Sequence, residues 1–81
     1  PYPNPFNPVV NVDVELSSES YVQAKVYNIS GQEITTLHEG MLSGKTHKMT
    51  WMAEGQSSGI YFIRVMVDNQ PAINKKIILL K

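Results

Sequence analysis

The stretch VVNVDVEL, residues 9–16, decides the fold class of this chain. Apolar side chains alternate in it with polar ones, as Val10, Val12, Val14 and Leu16 against Asn11, Asp13 and Glu15. A period of two residues is typical of a β-strand with one buried face. We therefore predict a half-buried strand here, with Asp13 and Glu15 on the face that meets solvent.

The same period recurs along the chain between short polar or glycine-containing turns. Further strands are predicted at residues 21–28, 33–38, 46–52, 60–67 and 72–81. Ile34 and Leu37 break the alternation of 33–38, which indicates a β-bulge or a strand end. Segment 39–45 is predicted as a loop and 68–71 as a tight turn. No segment keeps the 3.6-residue apolar period of a helix.

The spacing of these strands predicts a small antiparallel β-sandwich rather than a βαβ fold. A short additional strand near Phe6 would bring the total to about seven. Four of the five prolines lie in PYPNPFNP. Because proline fixes φ and lacks a backbone donor, this segment is predicted to be extended. The predicted organisation is a proline-rich linker and first edge segment at residues 1–8, followed by a sandwich domain at 9–81.

Composition argues against several classes of partner. The 81 residues contain seven basic and seven acidic side chains and no cysteine. This balance argues against a nucleic acid and against an anionic membrane surface, because both attract basic proteins. No apolar run approaches the roughly 20 residues of a membrane helix, so no membrane insertion is expected. No signal peptide opens the chain at Pro1, and we expect an export signal in a preceding segment.

No catalytic or metal-binding constellation emerges from the pattern. His47 is predicted to be partly buried and His38 to be solvent-exposed at a strand end, which leaves no cluster for a metal. Asp13 and Glu15 could approach each other, but a glycosidase pair needs a cleft that so small a sandwich lacks. The serines at 17–20 have no neighbouring base. We predict a non-enzymatic domain with no cofactor.

Trp51 leaves two interpretations open. It could stack on sugars together with Tyr21, Tyr27 or Tyr61, as in carbohydrate-binding sandwiches. It could instead anchor the core, as a tryptophan does in many sandwiches. We favour the core because Trp51 shares its strand face with Met49.

Two strands are apolar on both faces, which an outer strand of a sandwich should not be. They are residues 60–67, apart from Arg64, and residues 77–80. Such strands could be central and covered by the N-terminal segment, could pair with a second copy, or could form a docking surface. We favour a cover that includes Phe6 for 60–67 and leave docking open for 77–81.

Five sequence blocks together resemble a known family. They are YPNPFNP at 2–8, VYNISGQEI at 26–34, GKTHKMTW at 44–51, SSGIYFIRV at 57–65 and KKIILLK at 75–81. In this order they resemble the type A C-terminal sorting domain of the type IX secretion system, also called the Por secretion domain. The related immunoglobulin-like domain of the flagellar hook-capping protein usually has Trp-Asp-Gly where this chain has Trp51-Met52-Ala53. That departure favours the sorting family.

The resemblance implies a seven-stranded immunoglobulin-like sandwich that is not itself catalytic. It implies a C-terminal signal that directs an exported passenger through an outer-membrane translocon to the cell surface. Implied partners are the translocon, a shuttle protein, a surface sortase and the covalently continuous N-terminal passenger. The sortase cut would lie in or before the proline-rich start.

The resemblance also assigns residues. The family motif falls on Tyr2, Pro3, Asn4, Pro5, Gly31, Gly59 and Tyr61. The candidate recognition strand is Lys75, Lys76, Ile77, Ile78, Leu79, Leu80 and Lys81. Each motif residue also has a possible structural role, since the glycines suit turns and Tyr61 suits the core. The last strand is the best candidate for recognition because an edge strand can be read by β-augmentation.

Two other functions stay open at this point. A carbohydrate-binding or adhesive module of a secreted enzyme would have a solvent-exposed Trp51. A structural spacer of the hook-cap type would self-associate.

Overall fold

The computed structural model describes residues 8–80, and every strand in it pairs antiparallel. The strands are β1 (Val9–Glu15), β2 (Ser20–Asn28), β3 (Glu33–Leu42), β4 (Thr46–Met52), β5 (Gly59–Val67) and β6 (Gln70–Leu79). Within residues 8–80 there is no helix. The predicted all-β fold class is therefore confirmed. The seventh strand predicted near Phe6 lies outside the described residues.

The strands form two sheets. One contains β1 and β4, and the other has the order β3-β2-β5-β6. In immunoglobulin-like domains, strands B and E are neighbours in one sheet, and C′, C, F and G follow one another in the other. The observed order agrees with that arrangement, so the fold is consistent with an immunoglobulin-like sandwich.

The core lies between the two sheets and consists of inward-facing side chains at alternate positions. Its members are Val12, Val14, Leu16, Val22, Ala24, Val26, Met49, Trp51, Ala53, Tyr61, Ile63, Val65, Ile77 and Leu79. Every strand except β3 contributes to this buried set, and Ile34, Leu37 and Leu42 of β3 pack against it. Each fully buried aliphatic or aromatic side chain contributes roughly 1.5–3 kcal/mol, which offsets the entropy lost on ordering the chain.

The irregular pattern of residues 33–38 corresponds to two irregularities in β3. The register between β2 and β3 shifts twice, and the residues it skips are Leu37 and Ile34. Each skipped residue reverses the inside–outside alternation of the strand. Of the two predicted alternatives, the bulge agrees with these register shifts, and the strand end does not, because β3 continues to Leu42.

The loop predicted at 39–45 is wrong in its first half. β3 continues to Leu42, and its last four residues pair with Ser20–Gln23 of β2. The two glycines suggested a loop, yet Gly40 is accommodated inside the strand opposite Val22. Cross-strand hydrogen bonding to β2 therefore outweighs the weak strand preference of this segment.

The tight turn predicted at 68–71 is shorter than expected. Only Asp68 and Asn69 form it, with φ angles of 50° and 64°, and Gln70 already pairs with Val67. Positive φ at both central residues is the signature of a type I′ turn, which suits the twist of a hairpin. Asp68 also joins this turn to β2, because its backbone N–H donates to the Tyr21 carbonyl oxygen at 2.8 Å.

The β1–β2 and β3–β4 loops touch at one end of the sandwich. A Cβ atom on Gly44 would lie 2.8 Å from the Ser18 Cα atom, which no real side chain tolerates. The Leu16 N–H donates to the Lys45 carbonyl oxygen at 3.1 Å beside this contact. Ser20, predicted as part of the polar turn, is instead buried at the start of β2, where its hydroxyl donates to the Ser18 carbonyl oxygen.

Candidate functional site

The predicted recognition strand is β6, which lies at one edge of the four-stranded sheet. It pairs with β5 on one side, and no other described strand pairs with it on the other. Such an edge presents unpaired backbone N–H and C=O groups that can accept a further strand. Lys81, the last residue assigned to the site, lies outside the described residues.

The apolar end of β6 divides into a buried and an exposed face. Ile77 and Leu79 point into the core and are 7% and 4% exposed, whereas Ile78 and Leu80 are 63% and 78% exposed. The structure therefore explains why this segment is apolar at every position. One face anchors the strand, and the other presents aliphatic side chains to the surroundings.

Two adjacent lysines lie in the middle of the same strand. Lys75 and Lys76 are both exposed and pair in register with Ile63 and Phe62. Because successive side chains of a strand point to opposite faces, the edge carries a positive charge on each side. Lysines on an edge strand disfavour pairing with an identical edge, and they favour a partner strand that carries acidic groups.

Gly31 of the family motif completes a turn that Asn28 organises. The Asn28 side-chain oxygen accepts hydrogen bonds from the backbone N–H groups of Ser30 and Gln32, at 3.0 and 2.9 Å. Gly31 has φ of +85°, which an L side chain rarely adopts. This conformation fits the turn role expected of the motif glycines. The turn holds Ile29, which is 65% exposed, at its tip.

Tyr61 of the family motif belongs to the core, as expected. It is 5% exposed, and its ring centroid lies 5.2 Å from that of Trp51. Its hydroxyl donates to the Ser57 carbonyl oxygen at 2.7 Å. A tyrosine near the start of strand F that bonds to upstream backbone is the tyrosine corner of immunoglobulin-like domains. Gly59 begins this strand, and an added Cβ would only touch the Tyr61 ring at 4.0 Å.

The remaining motif residues fall outside the described part of the chain. They are Tyr2, Pro3, Asn4 and Pro5. Phe6, proposed as a cover for residues 60–67, lies outside it as well. The part of that interpretation which the structure does describe is confirmed, since β5 is central between β2 and β6.

Trp51 is a core anchor. It is 3% exposed, so it offers no ring face to a sugar. Tyr21 and Tyr27 alternate with the buried residues of β2 and therefore lie on the opposite, outer face of the four-stranded sheet. A sugar-stacking platform that combines Trp51 with these tyrosines is thus ruled out by burial and by the thickness of the sheet.

A polar network on the outer face joins β2 to β3, and the sequence pattern did not reveal it. Glu39 accepts hydrogen bonds from the Tyr21 hydroxyl at 2.8 Å and from the Gln23 amide at 3.1 Å. These bonds lower the pKa of Glu39, and the bond to Glu39 raises the pKa of Tyr21. The Lys25 Nζ atom donates a hydrogen bond to Glu33 Oε1 at 3.3 Å, and this bond raises the pKa of Lys25.

The two histidines lie on different strands, His38 on β3 and His47 on β4. His38 was predicted to be exposed, which is wrong, because it is half-buried and its buried Nε2 atom has no hydrogen-bond partner within the described range 8–80. The shifted register of β3 turns its ring inward. His47 is half-buried as predicted, with Nε2 2.8 Å from the Ser43 carbonyl oxygen. In residues 8–80 no group of three or more His, Asp or Glu side chains is placed to hold a metal ion.

The sequence of this chain matches the profile of one known family. The profile of the family described as the secretion system C-terminal sorting domain matches residues 1–80. The chain belongs to this family. Its members act as sorting signals for type IX secretion, and they mark proteins that reach the cell surface or the extracellular space through the periplasm. The family is not a catalytic one.

The other comparisons add no relative. No curated protein and no solved structure matches the chain significantly. Over residues 8–80, no helix has the length and apolar character needed to cross a membrane.

Proposed function

We propose that this sorting domain directs an N-terminal passenger through the type IX outer-membrane translocon to the cell surface, and that the machinery reads residues 75–81. In this proposal residues 1–8 are the linker and first edge segment, and 9–81 are the folded signal. A shuttle protein and a surface sortase would act after the translocon. The domain serves as a shape to be recognised and performs no chemistry itself.

One observation carries the proposal for the recognition strand. The inner side chains of β6 hold the strand in the core, its outer side chains are exposed, and no other strand among residues 8–80 pairs with its free side. A strand in this position can pair with a strand of another protein without unfolding of the domain. The exposed Lys75 and Lys76 would then select a partner of opposite charge.

A secretion assay tests the proposal. Residues 1–81 are fused behind a periplasmic reporter in a host with a type IX system, and the surface and periplasmic fractions of the reporter are compared. We expect the fusion to reach the surface and the reporter alone to stay in the periplasm. Periplasmic retention of the intact fusion would contradict the sorting role.

Point variants test the strand more cleanly than a deletion. Removing 75–81 also removes Ile77 and Leu79 from the core, so it would confuse lost recognition with unfolding. The double variant Lys75→Glu/Lys76→Glu and the single variant Ile78→Glu change only exposed side chains, and we expect both to accumulate in the periplasm. Met52→Glu, at a site 68% exposed on the other sheet, is the matched control. Normal secretion of the β6 variants would refute recognition through this strand.

A further inference from the structure

The outer face of the four-stranded sheet contains a groove that lies apart from the β6 edge. The groove runs across β2, β5 and β6 beside the turn that follows β2. Its main hollow has a volume of about 380 Å³, and Tyr27, Phe62, Arg64 and Asn74 contribute to its lining. A second hollow of about 200 Å³ shares Tyr27 and Arg64 with the first. These two side chains therefore stand at the junction of one continuous depression.

Arg64 gives the groove an uncompensated positive charge. It is exposed, it pairs in register with Lys25, and no ion-pair partner for it exists among residues 8–80. Lys25 has its own partner in Glu33, and Lys76 is a further exposed cation on the outer face of β6. Like charges that lie opposite each other across strands are unfavourable. A carboxylate bound at Arg64 would remove this repulsion and could accept two parallel hydrogen bonds from the guanidinium group.

The walls of the groove are apolar and partly preorganised. Tyr27 and Phe62 pair in register next to Arg64, and both rings are half-buried. Pro71, Ile73 and the exposed Ile29 add to the apolar lining. The hydrogen bonds of Asn28 fix the turn that carries Ile29, so little conformational entropy is lost when a ligand packs against it.

We infer that this groove binds an extended polypeptide of the secretion machinery in which a carboxylate side chain is next to an aromatic or aliphatic one. The inference rests on the proposed sorting function and adds a second contact surface to the β6 edge. Two copies are not expected to pair through this face of the sheet, because its acids Glu33 and Glu39 are already hydrogen-bonded within the sheet and such pairing would break those bonds. The aliphatic side chains and the proline that stand beside the two aromatic rings favour a polypeptide over a sugar.

A binding experiment on the full chain tests the groove directly. The probe is the capped tetrapeptide Glu-Phe-Glu-Phe, titrated into ¹⁵N-labelled residues 1–81, with Lys-Phe-Lys-Phe as the probe of opposite charge. We expect the acidic peptide to change the amide chemical shifts of Tyr27, Phe62, Arg64 and their neighbours, and we expect no such changes with the basic peptide. Arg64→Gln should weaken binding about tenfold, as expected for a lost charge-assisted hydrogen bond. Lys45→Gln, at an exposed cation near the opposite end of the sheet, should bind like the unmodified chain.

Several outcomes of this titration would overturn the inference. They are equal binding of both peptides, unchanged affinity in Arg64→Gln, or stronger shifts of the same resonances with a glucuronic acid oligosaccharide. The dispersion of the amide spectrum shows in each case whether the variant is folded. Because the titration uses the isolated chain and no secreting host, it tests peptide binding to the groove even if the sorting role is refuted.

The secretion assay then relates the groove to function. In the reporter fusion, Arg64→Glu should raise the periplasmic fraction several-fold, whereas Lys45→Glu should be secreted normally. If the unmodified fusion is not secreted, the sorting role fails. If the unmodified fusion and Arg64→Glu are secreted equally well, the groove inference alone is overturned.

Discussion

The two faces of the four-stranded sheet are formed by alternate residues of the same strands, but one is buried and the other is exposed. On the inner face, Val22, Ala24, Ile63 and Val65 are fully buried beneath β1 and β4. On the outer face, the side chains between them form a polar network toward β3 and an open groove toward β6. In a two-layer sandwich, one face of a sheet can therefore supply the core while the other stays available for contacts with a partner.

The largest expected effect comes from adjacent substitutions on the two faces of β5. Ile63→Ala should lower the free energy of unfolding by about 2–5 kcal/mol, because it opens a cavity in a fully buried site. Arg64→Ala should change it by no more than about 0.5 kcal/mol, because Arg64 is an exposed side chain. Urea unfolding of the two variants measures both values. Similar losses in the two would show that the outer face is covered and would end the comparison.

A smaller effect is expected from the turn that borders the groove. Asn28→Ala should cost roughly 1–2 kcal/mol, because its side chain satisfies two backbone N–H groups of the turn. It should also weaken binding of the acidic peptide, because Ile29 loses its fixed position. Ser30→Ala is the matched control, since the structure uses only the backbone N–H of Ser30 in this turn. Thermal unfolding and the peptide titration provide the two readouts.

Removing the hydroxyl of Tyr61 tests how much its hydrogen bond contributes to the stability of the core. Tyr61→Phe keeps the ring against Trp51 and removes the bond to the Ser57 carbonyl oxygen. We expect a loss of about 0.5–1.5 kcal/mol, the usual net contribution of one hydrogen bond. Secretion of the reporter fusion should not change. A secretion defect in a folded Tyr61→Phe variant would assign this residue to recognition instead of packing.

The smallest effect is expected from the acid dependence of the outer network. Because the pKa of Glu39 is lowered in the folded state, its contribution to stability is present above the ordinary value of 4.5 and is lost as the pH falls through the folded-state pKa. Glu39→Gln keeps an acceptor for the Tyr21 hydroxyl but has no charge to lose. The stability difference between the two proteins should therefore shrink in acid. If the free energies of unfolding of the two proteins changed in parallel down to a pH below that pKa, the Glu39 carboxylate would not gain stability from these hydrogen bonds.

The strand pattern was readable because side-chain direction in a strand depends only on position. The alternation in 9–16 and 21–28 predicted which residues of β1 and β2 are buried, and the irregular Ile34 and Leu37 marked the register shifts of β3. The prediction of a loop at 39–45 fails because glycine content is a local signal, while the pairing that holds Glu39–Leu42 in β3 comes from Ser20–Gln23 at the far end of the preceding strand.

The candidate site was predictable in part. The five ordered blocks indicated the family and the importance of the last strand, and the family match confirms the first of these. That strand's role in recognition stays a prediction. The outer groove was not foreseen, because Tyr27, Arg64 and Asn74 lie on three different strands and become neighbours only through the registers of β2, β5 and β6. The one sequence signal for it was a lone arginine in an otherwise apolar strand.

The amino-acid pattern alone is enough to predict an all-β protein, the buried side of most strands and the family of the chain. These properties follow from a two-residue period and from ordered local motifs. The three-dimensional fold was needed to show that β5 lies in the middle of its sheet, that β6 is the last strand on one side of it among residues 8–80, and that Arg64 lines an open groove with no ion-pair partner in that range. The reason is that strand order and cross-strand neighbours are set by contacts between residues far apart in the chain, which no local pattern encodes.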